Sequence, residues 1–402
     1  MTWQQRFNDG VLTLVKWERR IDPYVRPTFD RLLRGPLEWL VQAQLDLRRR
    51  DEGLGLAEER ELEGEEDAVA DIVVSMSAFL QEHYAGRRAE RAGNTKTYGV
   101  VRGELVVHED LPALVRHGLF AEPASYPAWV RFAGPGPLAP ADLDDNGVLS
   151  IGVKVMGVPG PKLLDDENGT QDFTGISAPT FTTPNVVENA LLQRHVGAGT
   201  PLIYFLDPRR SHLTDLFMQG LYARTHTSPL DTPYWSCGAY LLGEGQAMQY
   251  RFVPSGRTRS RFPRRPSDDY LRAALAATLA TSAAELTMLV QVQTDPHRMP
   301  VEHGSVVWPE RRSRPIPVAT LRLPPQEFDS PQQLAFADVL SYNPWHAMPE
   351  HRPLGNQNRA RREIYSQLAR LRQQMNDVEH VEPTGEETFP VPQSRADRPD
   401  SA

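Results

Sequence analysis

The chain has 402 residues and a net charge of −8, with 44 Lys and Arg against 52 Asp and Glu. At 40% hydrophobic and 24% charged residues it has the composition of a globular protein with ample length for a core; the acidic balance argues against nucleic acid as the main partner. One cysteine, Cys237, excludes an internal disulfide framework and a Cys-rich metal site and fits a reducing, cytoplasmic compartment, while no apolar run approaches the roughly 20 residues of a membrane helix.

The opening MTWQQRFNDG lacks the apolar stretch of a secretory signal. Residues 1–50 have helical spacing through Phe29, Leu32, Leu33, Leu37, Leu40, Val41 and Leu45, and Gly35-Pro36 is expected to break this arm into two helices. The arm is basic, with ten Lys and Arg against six Asp and Glu, and carries Trp3, Trp17, Tyr24, Phe29 and Trp39. Such a helix pair suits either a membrane surface or packing against the body or a second subunit. An acidic linker follows over 51–67, then a helix over about 66–84 with Val69, Ile72, Val73, Met76, Phe79 and Leu80 on one face.

From about 98 to 324 short alternating or β-branched runs are separated by turn signals. Strands are expected over 98–108, 128–133, 148–158, 239–242, 247–253, 286–294, 305–308 and 318–323, with a hairpin turn at Leu242-Gly243-Glu244-Gly245-Gln246. About eight strands at this spacing predict an antiparallel barrel or sandwich. Helical insertions fall at about 185–196, 211–223 and 267–283, and a basic helix at about 356–375; the polar, Pro-containing residues 376–402 are expected to be disordered. This divides the chain into 1–65, an arm with its linker; 66–375, the main domain; and 376–402, a tail.

Several segments resemble the haem catalases and the shorter catalase-related proteins. PAWVRFAGPGP (127–137) resembles the strand that carries a haem-propionate arginine, and GVLSIGVKVMGV (147–158) the strand after it. TQDFTGISAPTF (170–181) is similar to the family's "WDLVGNNTPIFF". Residues 289–310 and 328–365 resemble the late barrel and the haem-ligand helix. The resemblance runs over about 90–375. It implies an α+β fold built on an eight-stranded antiparallel catalase barrel, haem b as cofactor and peroxide as substrate, with homo-oligomers as in that family.

On the proximal side the resemblance makes Tyr365 the iron ligand, in Arg361-Arg362-Glu363-Ile364-Tyr365. A tyrosine ionises near pH 10, so a phenolate ligand needs positive charge beside it. Arg361, one helical turn away, supplies it together with the iron. Arg91, Arg131 and Arg372 fall where the family holds haem propionates, a task that suits the bidentate guanidinium. Arg359 and Arg370 are read as surface charges.

On the distal side the family's catalytic histidine corresponds to Asn94, in Arg91-Ala92-Gly93-Asn94-Thr95-Lys96. The family's distal asparagine falls at Ile176 or Ser177, and its supporting serine at Ala133. Asn94 and Ser177 are then the residues lining the distal face. A histidine moves a proton between the two peroxide oxygens, help worth about 10²–10⁴ in rate; an amide cannot do this near neutral pH but still hydrogen-bonds a ligand. The expected activity is therefore that of a peroxidase-like or hydroperoxide-converting oxidoreductase acting on hydrogen peroxide or an organic or lipid hydroperoxide, with weak catalase turnover. The alternatives are a haem-binding or sensing protein without turnover, and a scaffold that has lost haem. His83, eleven residues upstream, is the nearest histidine that could replace the missing one. Other candidates are weaker: Cys237 is expected to pack in a strand, His346 and His351 to serve a Pro-rich loop, Ser211-His212 and Ser228 with Asp231 lack a nucleophile elbow, and Gly157-Val158-Pro159-Gly160 lacks the helix of a phosphate loop.

Overall fold

The computed structural model describes residues 2–256 and 260–389. Its centre is an antiparallel barrel. Strands β1 (Thr97–Val107), β2 (Ser125–Ala133), β3 (Ser150–Met156) and β4 (Thr170–Ile176) pair in sequence order. The two-residue β5 (Tyr234–Trp235) links β4 to β7 (Ala247–Pro254), and β8 (Ala284–Val292) and β9 (Ile316–Leu323) bring the sheet back to β1. The ring is closed, which removes every exposed barrel edge. Short β6 (Ala239–Leu241) and β10 (Pro353–Leu354) extend it beside β7.

Strand alternation decides which side chains fill the barrel. Val101, Val130, Val153 and Phe173 stand opposite one another across β1–β4 and belong to the central core. One residue away, Val100, Arg131, Gly152 and Thr174 share the outer face. Helices cover that outer face.

These helices are α3 (Glu65–His83), α4 (Val186–Gly197) and α9 (Asn356–Met375), whose Ile72, Val73, Val186, Ala190, Ala360 and Ile364 pack together. Also present are α5 (Pro201–Leu206), α6 (Leu213–Tyr222), α7 (Tyr270–Leu279) and α8 (Pro331–Val339). The N-terminal arm comprises α1 (Trp3–Phe29) and α2 (Gly35–Arg48).

Gly35-Pro36 does not break the arm. A π-turn over Asp30–Arg34 joins α1 to α2; its wider hydrogen-bond spacing absorbs a proline that cannot donate. The 305–308 segment, expected as a strand, is irregular. Val307 donates its N–H to Gln42 on α2, and Ser305 gives its carbonyl to the same side chain, so the arm takes the bonds a sheet would have used. Strand β4 and helices α5 and α8 lack a strong local pattern and were not separable from loops in the sequence.

Residues 376–389 are packed rather than loose. Glu387 accepts the Trp129 indole N–H at 2.7 Å, and Phe389 lies 5.9 Å from the Trp129 ring. Residues 390–402, the rest of the expected disordered tail, lie outside the described residues. Arg359 is not a surface charge: it bonds Glu59, Glu65 and Glu302, tying the acidic linker to the start of α9.

Candidate functional site

A cavity of about 420 Å³ lies between the outer face of β2–β4 and helices α3 and α9, within the size range of ligand sites. Arg91, Asn94, Arg131, Arg361, Tyr365 and Arg372, far apart in the chain, all line it.

β2 brings Arg131 to the wall. Its Nη2 donates to the carbonyls of Asn94 at 2.7 Å and Thr95 at 3.1 Å, and Nε donates to Thr97 Oγ1 at 3.1 Å. Arg91 donates to the carbonyls of Ala337 at 2.9 Å and Leu340 at 2.6 Å, and Arg372 reaches the same Leu340 carbonyl at 3.2 Å. The shared carbonyl brings two guanidinium groups together. Among the described residues none of the three forms an ion pair, and the buried Arg372 Nε has no hydrogen-bond partner. Burial pulls all three below the usual arginine range, and for Arg131 and Arg372 repulsion from the neighbouring guanidinium groups adds to it. Buried cations are normally paired; here Asp338 acts on all three only from beyond contact distance, since none of them forms an ion pair among the described residues.

Gly152 makes room for the opposite wall. A Cβ there would come within 2.8 Å of the Tyr342 ring, which lies over the strand. Tyr342 also lines the cavity, and burial raises its phenol well above the usual value.

Helix α9 presents Arg361 and Tyr365 on one face. Arg361 Nη1 donates to Asn358 Oδ1 at 2.7 Å, while Asn358 Nδ2 donates to the Ala239 carbonyl at 2.8 Å, so a barrel strand fixes the guanidinium. Arg361 also lies over the Phe181 ring at 5.4 Å. Burial works against its charge, and the phenols of Tyr365 and Tyr240 and the Cys237 thiol would favour it only if ionised.

Asn94 sits in a left-handed turn, φ 48°, and lines the cavity beside Gly93. Asparagine tolerates that backbone better than most residues. Ser177 is not brought into the cavity. Its buried Oγ accepts the Leu149 N–H at 2.9 Å and lies 3.3 Å from His226 Nε2, so the strand-β4 residue facing the cavity is Ile176. His226 is fully buried and, mainly through burial, stays neutral. His83 ends α3, stacked on Phe79 at 5.3 Å, and does not line the cavity.

Cys237 lies in a left-handed turn between β5 and β6, not in a strand, and its Sγ donates to the Ala178 carbonyl at 3.0 Å. It lines the cavity, but burial pushes its thiol up to about 12, which keeps it neutral. Sequence patterns missed Cys237, Tyr342 and Asn358 because each acts through a contact distant in the chain.

Among the described residues, no histidine, aspartate or glutamate lines this cavity. It offers four guanidinium groups, two phenols, a neutral thiol and amides.

The barrel has solved counterparts. A bacterial catalase is 15% identical, with a TM-score of 0.55 over 82% of this chain and 67% of that one. A fungal catalase is 16% identical, with a TM-score of 0.50 over 73% of this chain and 62% of its own length. The chain has a catalase-like fold. No family model matches it, and no curated protein does. The catalase-like barrel thus carries Arg91, Arg131, Arg361 and Arg372 around one cavity, which no histidine lines among the described residues.

No haem or metal is part of the structure, so the fit rests on the protein groups. Three guanidinium groups without a contact carboxylate, two of them buried and one with an unpartnered Nε, suit a ligand carrying two carboxylates. A phenol with a guanidinium one turn away suits a ferric centre. The residues present therefore fit haem.

Proposed function

We propose that this protein binds haem b and reacts with hydroperoxides, organic ones in preference to hydrogen peroxide, with poor catalase turnover. The observation that carries the reading is the cluster of half-buried Arg91 with buried Arg131 and Arg372, none in a contact ion pair among the described residues, in the same cavity as Arg361 and Tyr365. Arg91, Arg131 and Arg372 would hold the propionates, Tyr365 would ligate the iron, and Arg361 would place a positive charge one helical turn from it. When bound, haem would supply the electrons exchanged with a peroxide O–O bond.

On the open face, Asn94 can orient a hydroperoxide by hydrogen bonds but cannot take its proton. Ser177 is committed to Leu149 and His226. Val148 and Ile176, on the barrel side of the cavity, give an apolar surface that suits an organic group, while Ile72, Met76, Ile364 and Leu368 pack around Tyr365. The lack of a lining imidazole or carboxylate favours a second reading, haem binding or sensing without turnover.

The test is the absorption spectrum of the purified full chain. A Soret band that persists after gel filtration, weakened in Tyr365→Phe, is expected; no band after haem supplementation removes both readings. Stopped-flow mixing with a fatty-acid hydroperoxide separates them: a changed haem spectrum supports the enzyme, and an unchanged one leaves the sensor. Rapid oxygen evolution from hydrogen peroxide would overturn the account of the open face.

A further inference from the structure

The N-terminal rod is inside out. In α1 the buried residues are polar, Asn8 and Asp22; Asp22 accepts the Thr225 N–H at 2.6 Å and Asn8 accepts the Leu202 N–H at 3.4 Å. Its apolar stripe instead faces away from the body. Trp3, Phe7, Leu14, Trp17, Ile21 and Tyr24 are all exposed, Trp3, Leu14 and Tyr24 to 71%. At 3.6 residues per turn they fall within an arc of about 100°. A surface helix ordinarily turns such a stripe to the core.

The stripe continues beyond the π-turn in Trp39, Leu40 and Leu47, the last 88% exposed. On an unbroken α-helix Leu40 and Leu47 would sit roughly 90–110° round from the centre of the first set; the extra residue of the π-turn takes up about that rotation and leaves Trp39 at the border of the stripe. The two sets therefore run along one side of a rod about 70 Å long, at 1.5 Å per residue.

Charge selects the surface this side fits. Within the rod, exposed Arg6, Lys16, Arg20, Arg31 and Arg48 accompany the stripe, against exposed Asp9 and Glu18, in a chain whose overall charge is −8. A second copy would bring the arginines of two arms together; an anionic bilayer neutralises them. Tryptophan and tyrosine also favour the headgroup region. We propose that this rod lies in the plane of an anionic lipid surface, with its apolar side in the headgroup layer. Helix α6, which packs beside α2 and lends Gln219 to the cavity wall, exposes Phe217 to 61%. Docking would then hold the cavity close to the lipid. The proposal is independent of haem.

The test is co-sedimentation of the full chain with phosphatidylcholine vesicles, with and without about 30% phosphatidylglycerol, a content sufficient for a negative surface potential. Binding to the anionic vesicles is expected, with a blue shift of tryptophan emission and weakening as NaCl rises from about 0.1 to about 0.5 M. Trp17→Glu/Ile21→Glu is expected to bind at least about tenfold more weakly, with unchanged circular dichroism. Should that variant misfold, the milder Leu14→Gln/Trp39→Gln reads the same loss. No binding at low salt, or equal binding by the variants, overturns the proposal. So does a wild-type dimer that ignores vesicles and becomes a monomer on Trp17→Glu/Ile21→Glu, which would make a second copy the occupant.

Discussion

Arg131 donates to the main-chain carbonyl of Asn94 at 2.7 Å, so the residue proposed to hold a propionate also fixes the turn that carries the open-face amide. The two halves of the site are coupled through one guanidinium. Arg131→Leu is expected to lower haem retention and to raise hydrogen exchange at residues 94–97 even without haem, as a solely ligand-binding arginine would not.

Asn94 itself is held at φ 48°. Asn94→Val is expected to cost about 1–2 kcal/mol in urea unfolding, because a β-branched residue resists the left-handed region. Asn94→His is tolerated by that backbone and restores a proton acceptor. Oxygen evolution from hydrogen peroxide by the haem-loaded variant is expected to exceed wild type by up to about 10²-fold.

Arg372 is buried beside two other cations, with Nε unpartnered. Arg372→Leu is expected to stabilise the haem-free protein by about 1 kcal/mol, since it removes a buried charge repelled by two neighbouring guanidinium groups. The same change is expected to weaken haem binding at least about tenfold, measured by spectrophotometric titration. Thermal melts with and without haem check both signs.

His346 lies buried with Lys154, Glu167 and Asp172; its Nδ1 is 2.9 Å from Asp172 and its Nε2 3.1 Å from Asp166. Burial and Lys154 oppose its charge, but the two aspartates raise it to about 9. A raised value means that its contribution to stability is complete below the unfolded value near 6.5. That contribution is lost as pH rises through about 9. The stability difference between wild type and His346→Gln, from urea midpoints, is expected to be largest at pH 6 and to shrink by pH 10.

Cys237 is buried with its thiol pushed up to about 12. Alkylation by iodoacetamide at pH 8 is expected only after denaturation. Rapid labelling of the native protein would show that the cavity opens to solvent at this turn.

The sequence by itself determined the local periods and the covalent limits: one cysteine, a basic helix over 356–375, and alternating runs that had to pair. Helix α9 and strand β1 were legible because their repeats are long and regular. Motif resemblance also marked Arg91, Arg131, Arg361, Tyr365 and Arg372 as partners. Only the tertiary structure decided that these five share a cavity, because register sets Arg131 on the outer barrel face and α9 crosses that face. It also turned Ser177 away toward Leu149 and His226, since neighbouring residues of an extended chain point to opposite sides. The apolar stripe of α1 was visible as a repeat, but its direction was not: periodicity gives a helix two faces, and the bonds of Asn8 and Asp22 to the body chose which one meets the outside.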